Sequence, residues 1–206
     1  MDGTLIDLNF DSVLWNDELP KAYAQQHNLD THEAQRRLFE HMDKQSGTIG
    51  YYCIDHWVEF TGIDIMALHH AGRSRLAYRA GSEAFLTWLQ AQPQEVILTT
   101  NAHRKSLELK NETLDLLRYF DATVSSHDFN QVKESAEFWH TMQQAVDFDP
   151  SRTLFIDDHE GVLGAAHEYG IAHLYCVSHP DSGKPPRSTS KFPLVGELSS
   201  LIGPVN

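Results

Sequence analysis

The chain has 206 residues, 41% of them hydrophobic and 10% aromatic, enough apolar content to bury a core. Its 16 basic and 29 acidic residues leave a net charge of −13, a field that repels nucleic-acid backbones and anionic membrane surfaces, so neither is expected as a partner. No apolar run approaches the roughly 18 to 20 residues of a membrane span, and no cleavable leader is visible, so the composition points to a soluble, cytoplasmic chain.

The chain opens on MDGTLID. Asp-Gly is turn chemistry that usually follows a finished strand, and here none precedes it. From Asp11 to about Ala80 the pattern is helical: SVLWNDELPKAYAQQHN, THEAQRRLFEHMDK and YYCIDHWVEFTG carry apolar residues at three-to-four spacing, with Thr31 as a helix start. Helix SEAFLTWLQAQ then leads to EVILTT, a short β-rich run of the buried kind. A helix from about His103 to Tyr119, strand ATVSS, a helix from Glu134 to Val146, strand TLFID, a helix from Glu160 and strand AHLYCV follow. After the loop SHPDSGKPPRSTSKFP a short terminal helix is expected over LVGELSSLI. This alternation predicts an α/β fold with a doubly wound parallel sheet, formed by residues 1–11 and 81–206, and a helical insertion over 12–80. Cys53 and Cys176 show no CxxC spacing and read as free thiols.

Open α/β sheets gather working residues at the carboxyl ends of their strands. Three such ends are polar here: Thr99, Thr100 and Asn101 after EVIL; Ser125 and Ser126, leading to Lys133; and Asp157 with Asp158 after TLFI. Singly, each is better read as a helix cap or a solvated charge. Their joint occurrence behind an Asp-Gly-Thr suits phosphoryl transfer. A phosphate dianion repels a nucleophile, so a hydroxyl and an ammonium must hold its oxygens. Carboxylates can hold Mg²⁺, a hard ion that takes oxygen ligands, and a further carboxyl group must protonate the leaving alkoxide. Thr100, Lys133, Asp157, Asp158 and Asp2 fill these roles, with Asn101 beside the phosphate, but the set contains no nucleophile.

The order MDGTLID, ILTTN, Lys133 and FIDD resembles the haloacid dehalogenase-like (HAD) hydrolase superfamily, with the helical insertion where one of that family's cap types sits. The family's first motif is a strand ending Asp-x-Asp-Gly-Thr, whose first Asp is the nucleophile and whose second is the general acid/base. By this resemblance Asp2 is the acid/base, also near the metal, and the nucleophile stands immediately before Met1. Met1 is then an internal methionine, and a central first strand is missing from the chain as given. Thr100 matches the phosphate-binding hydroxyl, Lys133 the motif lysine, and Asp157 and Asp158 the Mg²⁺-binding acidic pair. Segments DGTLIDLNFDSVLWN, YYCIDHWVEFTGIDI, LTTNAH, TLFIDDHEGVLGAA and HPDSG look like the GMP/IMP 5′-nucleotidase branch, which implies a nucleoside monophosphate substrate.

Other families share parts of this pattern. A response-regulator receiver places its acidic pair before the Thr and Lys, the reverse of the order here. A dehalogenase needs neither a leaving-group acid nor Mg²⁺, and no Gly-rich nucleotide-binding motif occurs. A phosphatase for other small phosphorylated metabolites, and an inactive or binding-only relative, stay open. The 13 histidines are scattered and read as core or surface residues rather than metal ligands. Trp15, Tyr51, Tyr52 and Trp57 are candidates to stack on a purine, although aromatics at helical spacing are more often core. His103 and Arg104 are candidates for leaving-group contacts because they follow TTN.

Overall fold

Capping chemistry and amphipathic spacing account for the helical part. In the computed structural model, which describes residues 1–203, α1 (Asn9–Val13), a π-helical turn (Leu14–Glu18) and α2 (Leu19–His27) run on without a break. They end where Asn28 turns left-handed, at φ 51°. Helix α3 (Thr31–Gln45) is capped by Asp30 rather than by Thr31, because the Asp30 carboxylate accepts from the Glu33 amide. YYCIDHWVEFTG forms two helices, α4 (Ile49–Tyr52) and α5 (Ile54–Thr61), separated by the extended backbone of Cys53. Helix α6 (Ile65–Gly72) begins at an Asp64 cap. Leu19, Leu38, Ile54, Trp57 and Ile65 bury themselves in an apolar cluster made by these helices and the short joints between them. At roughly 1.5–3 kcal/mol for each large buried side chain, the helical part carries its own core.

The α/β part follows the expected alternation. Helix α7 (Ser82–Leu89) leads to β1 (Ile97–Thr100), and α8 (Arg104–Leu114) returns the chain to β2 (Ala122–Ser125), parallel to β1 with Thr100 opposite Ser125. Helices α9 (Ser126–Phe129) and α10 (Ala136–Ala145) connect to β3 (Leu154–Asp157). Through α11 (Glu160–Tyr169) the chain reaches β4 (His173–Val177), which sets Asp157 opposite Cys176.

The expected terminal helix is not there. Leu194–Val195 forms a fifth parallel strand, β5, and only Leu198–Leu201 winds into a 3₁₀ turn. The reason is the open edge of β4, whose amides need acceptors: Cys176 N donates to Pro193 O at 2.8 Å and Ser178 N to Val195 O at 2.9 Å.

The parallel sheet also comes in two pieces, β1–β2 and β3–β4–β5, with no hydrogen-bonded strand joining them among the described residues. One apolar cluster nevertheless spans both, containing Leu98 of β1, Val177 of β4, and Met1 and Ile6. Among the described residues no helix is long and apolar enough to cross a membrane.

Candidate active site

The opening MDGTLI is a tight loop. The Met1 carbonyl accepts from the amides of Leu5 at 2.8 Å and of Thr4 and Ile6 at 3.2 Å. Gly3 takes φ +70°, and a Cβ there would run into the Asp158 carboxylate, so glycine is required both for the turn and for the close approach. Arg79, buried at the end of the helical part, holds the loop down. Its guanidinium donates to the carbonyls of Thr4 (2.8 Å), His179 (3.0 Å) and Gly196 (2.8 Å).

The strand ends meet this loop. Thr100 Oγ accepts from the Ala102 amide at 3.1 Å. Asn101 uses both ends of its side chain for positioning: Oδ1 accepts from the Lys133 amide at 3.0 Å and Nδ2 donates to Glu134 at 2.9 Å. The Lys133 ammonium, buried, donates to Asp157 Oδ2 at 2.6 Å, and Asp157 Oδ1 accepts from the His159 amide at 2.9 Å. Burial opposes ionisation of Asp157, but Lys133, the Met1 amino group and that amide outweigh it and hold its carboxyl below the usual range. At Asp158 the pull of Lys133 is too weak to do the same. Burial, then the neighbouring Asp157 charge, push it up to about 6.

A second charged cluster adjoins the first. Lys110 on α8, only 1% exposed, donates to Asp2 at 2.7 Å and to both oxygens of Asp11 at 2.9 and 3.0 Å. Burial would raise Asp2, yet Lys110 draws it below the usual range; burial dominates at Asp11 and lifts it to about 6.

Asp2, Thr100, Asn101, Lys133, Asp157 and Asp158 thus line a single cleft of about 360 Å³. Trp15, Tyr51, Tyr52 and Trp57 line it from the helical side, and His103 joins them. Arg104 is occupied elsewhere, in an ion pair with Asp128. Four carboxylates (Asp2, Asp11, Asp157 and Asp158) face two side-chain ammonium groups (Lys110 and Lys133), an excess of two negative charges among the side chains. Hard oxygen donors with an uncompensated double charge suit a divalent cation such as Mg²⁺.

Sequence reasoning missed Asp11, Lys110 and Arg79. For Lys110 a signal existed, since it stands three residues after Leu107 and four before Leu114, at a core position of α8 where a solvated lysine does not belong.

Residues 1–175 match the family model of haloacid dehalogenase-like hydrolases. The chain belongs to this family. Over 202 residues it is 34% identical to the GMP/IMP nucleotidase YrfG of Escherichia coli K12, covering 98% of this chain and 91% of the relative. Among solved structures, a HAD phosphatase from Thermococcus onnurineus superposes with a TM-score of 0.79 at 15% identity, over 98% of this chain and 93% of that one. A magnesium-bound HAD hydrolase from Bacillus subtilis gives 0.63 at 16% identity, with the same coverages. The fold is therefore the HAD-like α/β fold.

Proposed function

We propose that the working enzyme is a Mg²⁺-dependent phosphomonoester hydrolase that acts through an aspartyl-phosphate and prefers purine nucleoside 5′-monophosphates, GMP or IMP. The observation that carries this is the convergence of Asp2, Thr100, Lys133, Asp157 and Asp158 on one cleft. In this reading Thr100 and Lys133 hold phosphate oxygens, and Asn101 positions Lys133 through its amide. Asp157 and Asp158, with Asp2 beside them, would hold Mg²⁺, which when bound offsets repulsion between the phosphate and an attacking carboxylate. Asp2 begins ionised against Lys110. An arriving dianion raises its proton affinity, so it can donate to the leaving alkoxide and then accept from water.

The attacking carboxylate in this proposal belongs to an aspartate bonded to the Met1 nitrogen. Two observations favour that position. Met1 is buried, and its nitrogen lies close enough to Lys133, Asp157 and Asp158 for their charges to act on it, with burial pushing its amine down. Among the described residues β1 pairs only with β2 and β3 only with β4, so each keeps one edge that an extended segment can take up. The helical residues 12–80 serve as the cap, with Trp15 and Tyr51 presented to a base, while Trp57 lies in the buried core behind them.

The test is phosphate release from a panel of GMP, IMP and sugar phosphates with Mg²⁺, using a chain extended ahead of Met1 by an apolar strand ending in Asp. Turnover of the purine nucleotides, with Asp2→Asn cutting it about 10²–10⁴-fold while leaving the fold intact, is expected. Absence of any release would overturn the reaction, nucleotide binding without release would favour a binding-only relative, and equal turnover of sugar phosphates would overturn the substrate.

A further inference from the structure

Three soft or borderline donors, scattered in the sequence, come together at the junction of the helical and α/β parts. Cys53 lies in the extended joint between α4 and α5, His103 caps α8 just after β1, and His127 lies in α9 just after β2. One ligand atom from each lies within 4.8 Å of the other two. The two imidazoles meet edge to face, with centroids 4.7 Å apart. Nε2 of His127 is shut off from solvent and has no hydrogen-bond partner among the described residues. A buried polar atom left unpaired costs about 1–3 kcal/mol, so this nitrogen calls for a ligand.

We propose that Cys53, His103 and His127 form a binding site for a zinc-class divalent ion, separate from the carboxylate cluster, that ties the helical cap to the strand-end loops. The donor chemistry decides the class: one thiolate and two imidazoles select Zn²⁺ or a similar borderline ion over Mg²⁺. Bond lengths of about 2.3 Å to sulfur and 2.0–2.1 Å to nitrogen put tetrahedral ligand atoms about 3.3–3.7 Å apart, so the three donors need to close by at most about 1.5 Å. Burial holds both imidazoles below their ordinary values, which favours the neutral form a metal requires. Asp55, whose carboxylate lies 3.7 Å from His103 Nε2, is placed to orient that ring or to join the shell.

The site's position gives it a consequence. Two further contacts cross the same seam: Tyr52 donates to Glu134 at 2.7 Å, and Lys105 pairs with Asp55. His103 also lines the cleft. An ion bridging all three elements fastens the cap at the cleft mouth.

Binding does not depend on the phosphatase reading, and the readout is spectroscopic. The metal-stripped protein is titrated with Co²⁺ alone. We expect one equivalent to bind with a thiolate-to-cobalt charge-transfer band, bleached by Zn²⁺ and untouched by excess Mg²⁺. Cys53→Ser should abolish the band, His127→Ala should weaken binding at least about 10-fold, and Cys176→Ser should leave the band in place. On the unaltered protein, Zn²⁺ should slow amide exchange across residues 49–61 relative to the metal-free form. A titration with no thiolate band, a band that survives Cys53→Ser, or unchanged exchange on adding Zn²⁺ overturns the proposal.

Discussion

Replacing Lys110 by methionine tests the charged core most directly. The side chain is 1% exposed and its ammonium is shared by Asp2 and Asp11 at 2.7 to 3.0 Å, with the ring of Phe10 5.5 Å away. Methionine keeps the stem's packing and removes only the charge, leaving two carboxylates side by side in a buried site. Breaking a buried pair from one side costs about 3–5 kcal/mol, a large part of a typical total of about 5–15 kcal/mol. With a urea slope of roughly 2–3 kcal/mol/M, the midpoint should fall by about 1–2.5 M. The sign of the pH dependence follows. Without Lys110 both carboxyls have folded pKa values above their unfolded ones, so the deficit is full at pH 7 and fades as pH falls towards about 4, where they protonate. Adding Asp11→Asn to the variant should recover part of the loss at pH 7. A deficit below about 1 kcal/mol, or one equally large at pH 7 and pH 4.5, would refute the reasoning.

Gly3→Ala forces a left-handed φ on a residue with a Cβ and drives that Cβ into Asp158; a loss of about 1–3 kcal/mol in urea unfolding, with weakened Mg²⁺ binding by calorimetry, is expected. His69 is buried, its Nδ1 lies 2.9 Å from the Ile65 carbonyl, and burial lowers its pKa from 6.5 to about 4. The unfolded chain therefore binds more protons, so the stability this group contributes is present above about pH 6.5 and is lost as pH falls towards 4. Between pH 7 and pH 5 that loss is about 2 kcal/mol, and His69→Asn should flatten this part of the profile in thermal melts.

Local signals in the sequence determined the alternation of helices and strands and the strand ends bearing Thr100 and Asp157. Periodicity acts over one element, and a strand end is where short polar runs fall. The order of these residues along the chain also carried the family. Loops are harder to read, because what an edge or cap does depends on distant groups. Leu194–Val195 looked like the start of a helix and became a strand because β4 had amides to satisfy. Asn101, read as a phosphate contact, has its side chain engaged by the Lys133 amide and Glu134. Lys110 lies 108 positions from Asp2 and 99 from Asp11, and nothing within a helix-length window pairs them. Cys53, His103 and His127 are likewise unrelated by spacing, and they meet only because the α4–α5 joint packs against the segments that follow β1 and β2. Charge compensation in a low-dielectric interior is a property of three-dimensional neighbours, so the tertiary structure alone decided which carboxylates have an ammonium partner and which do not.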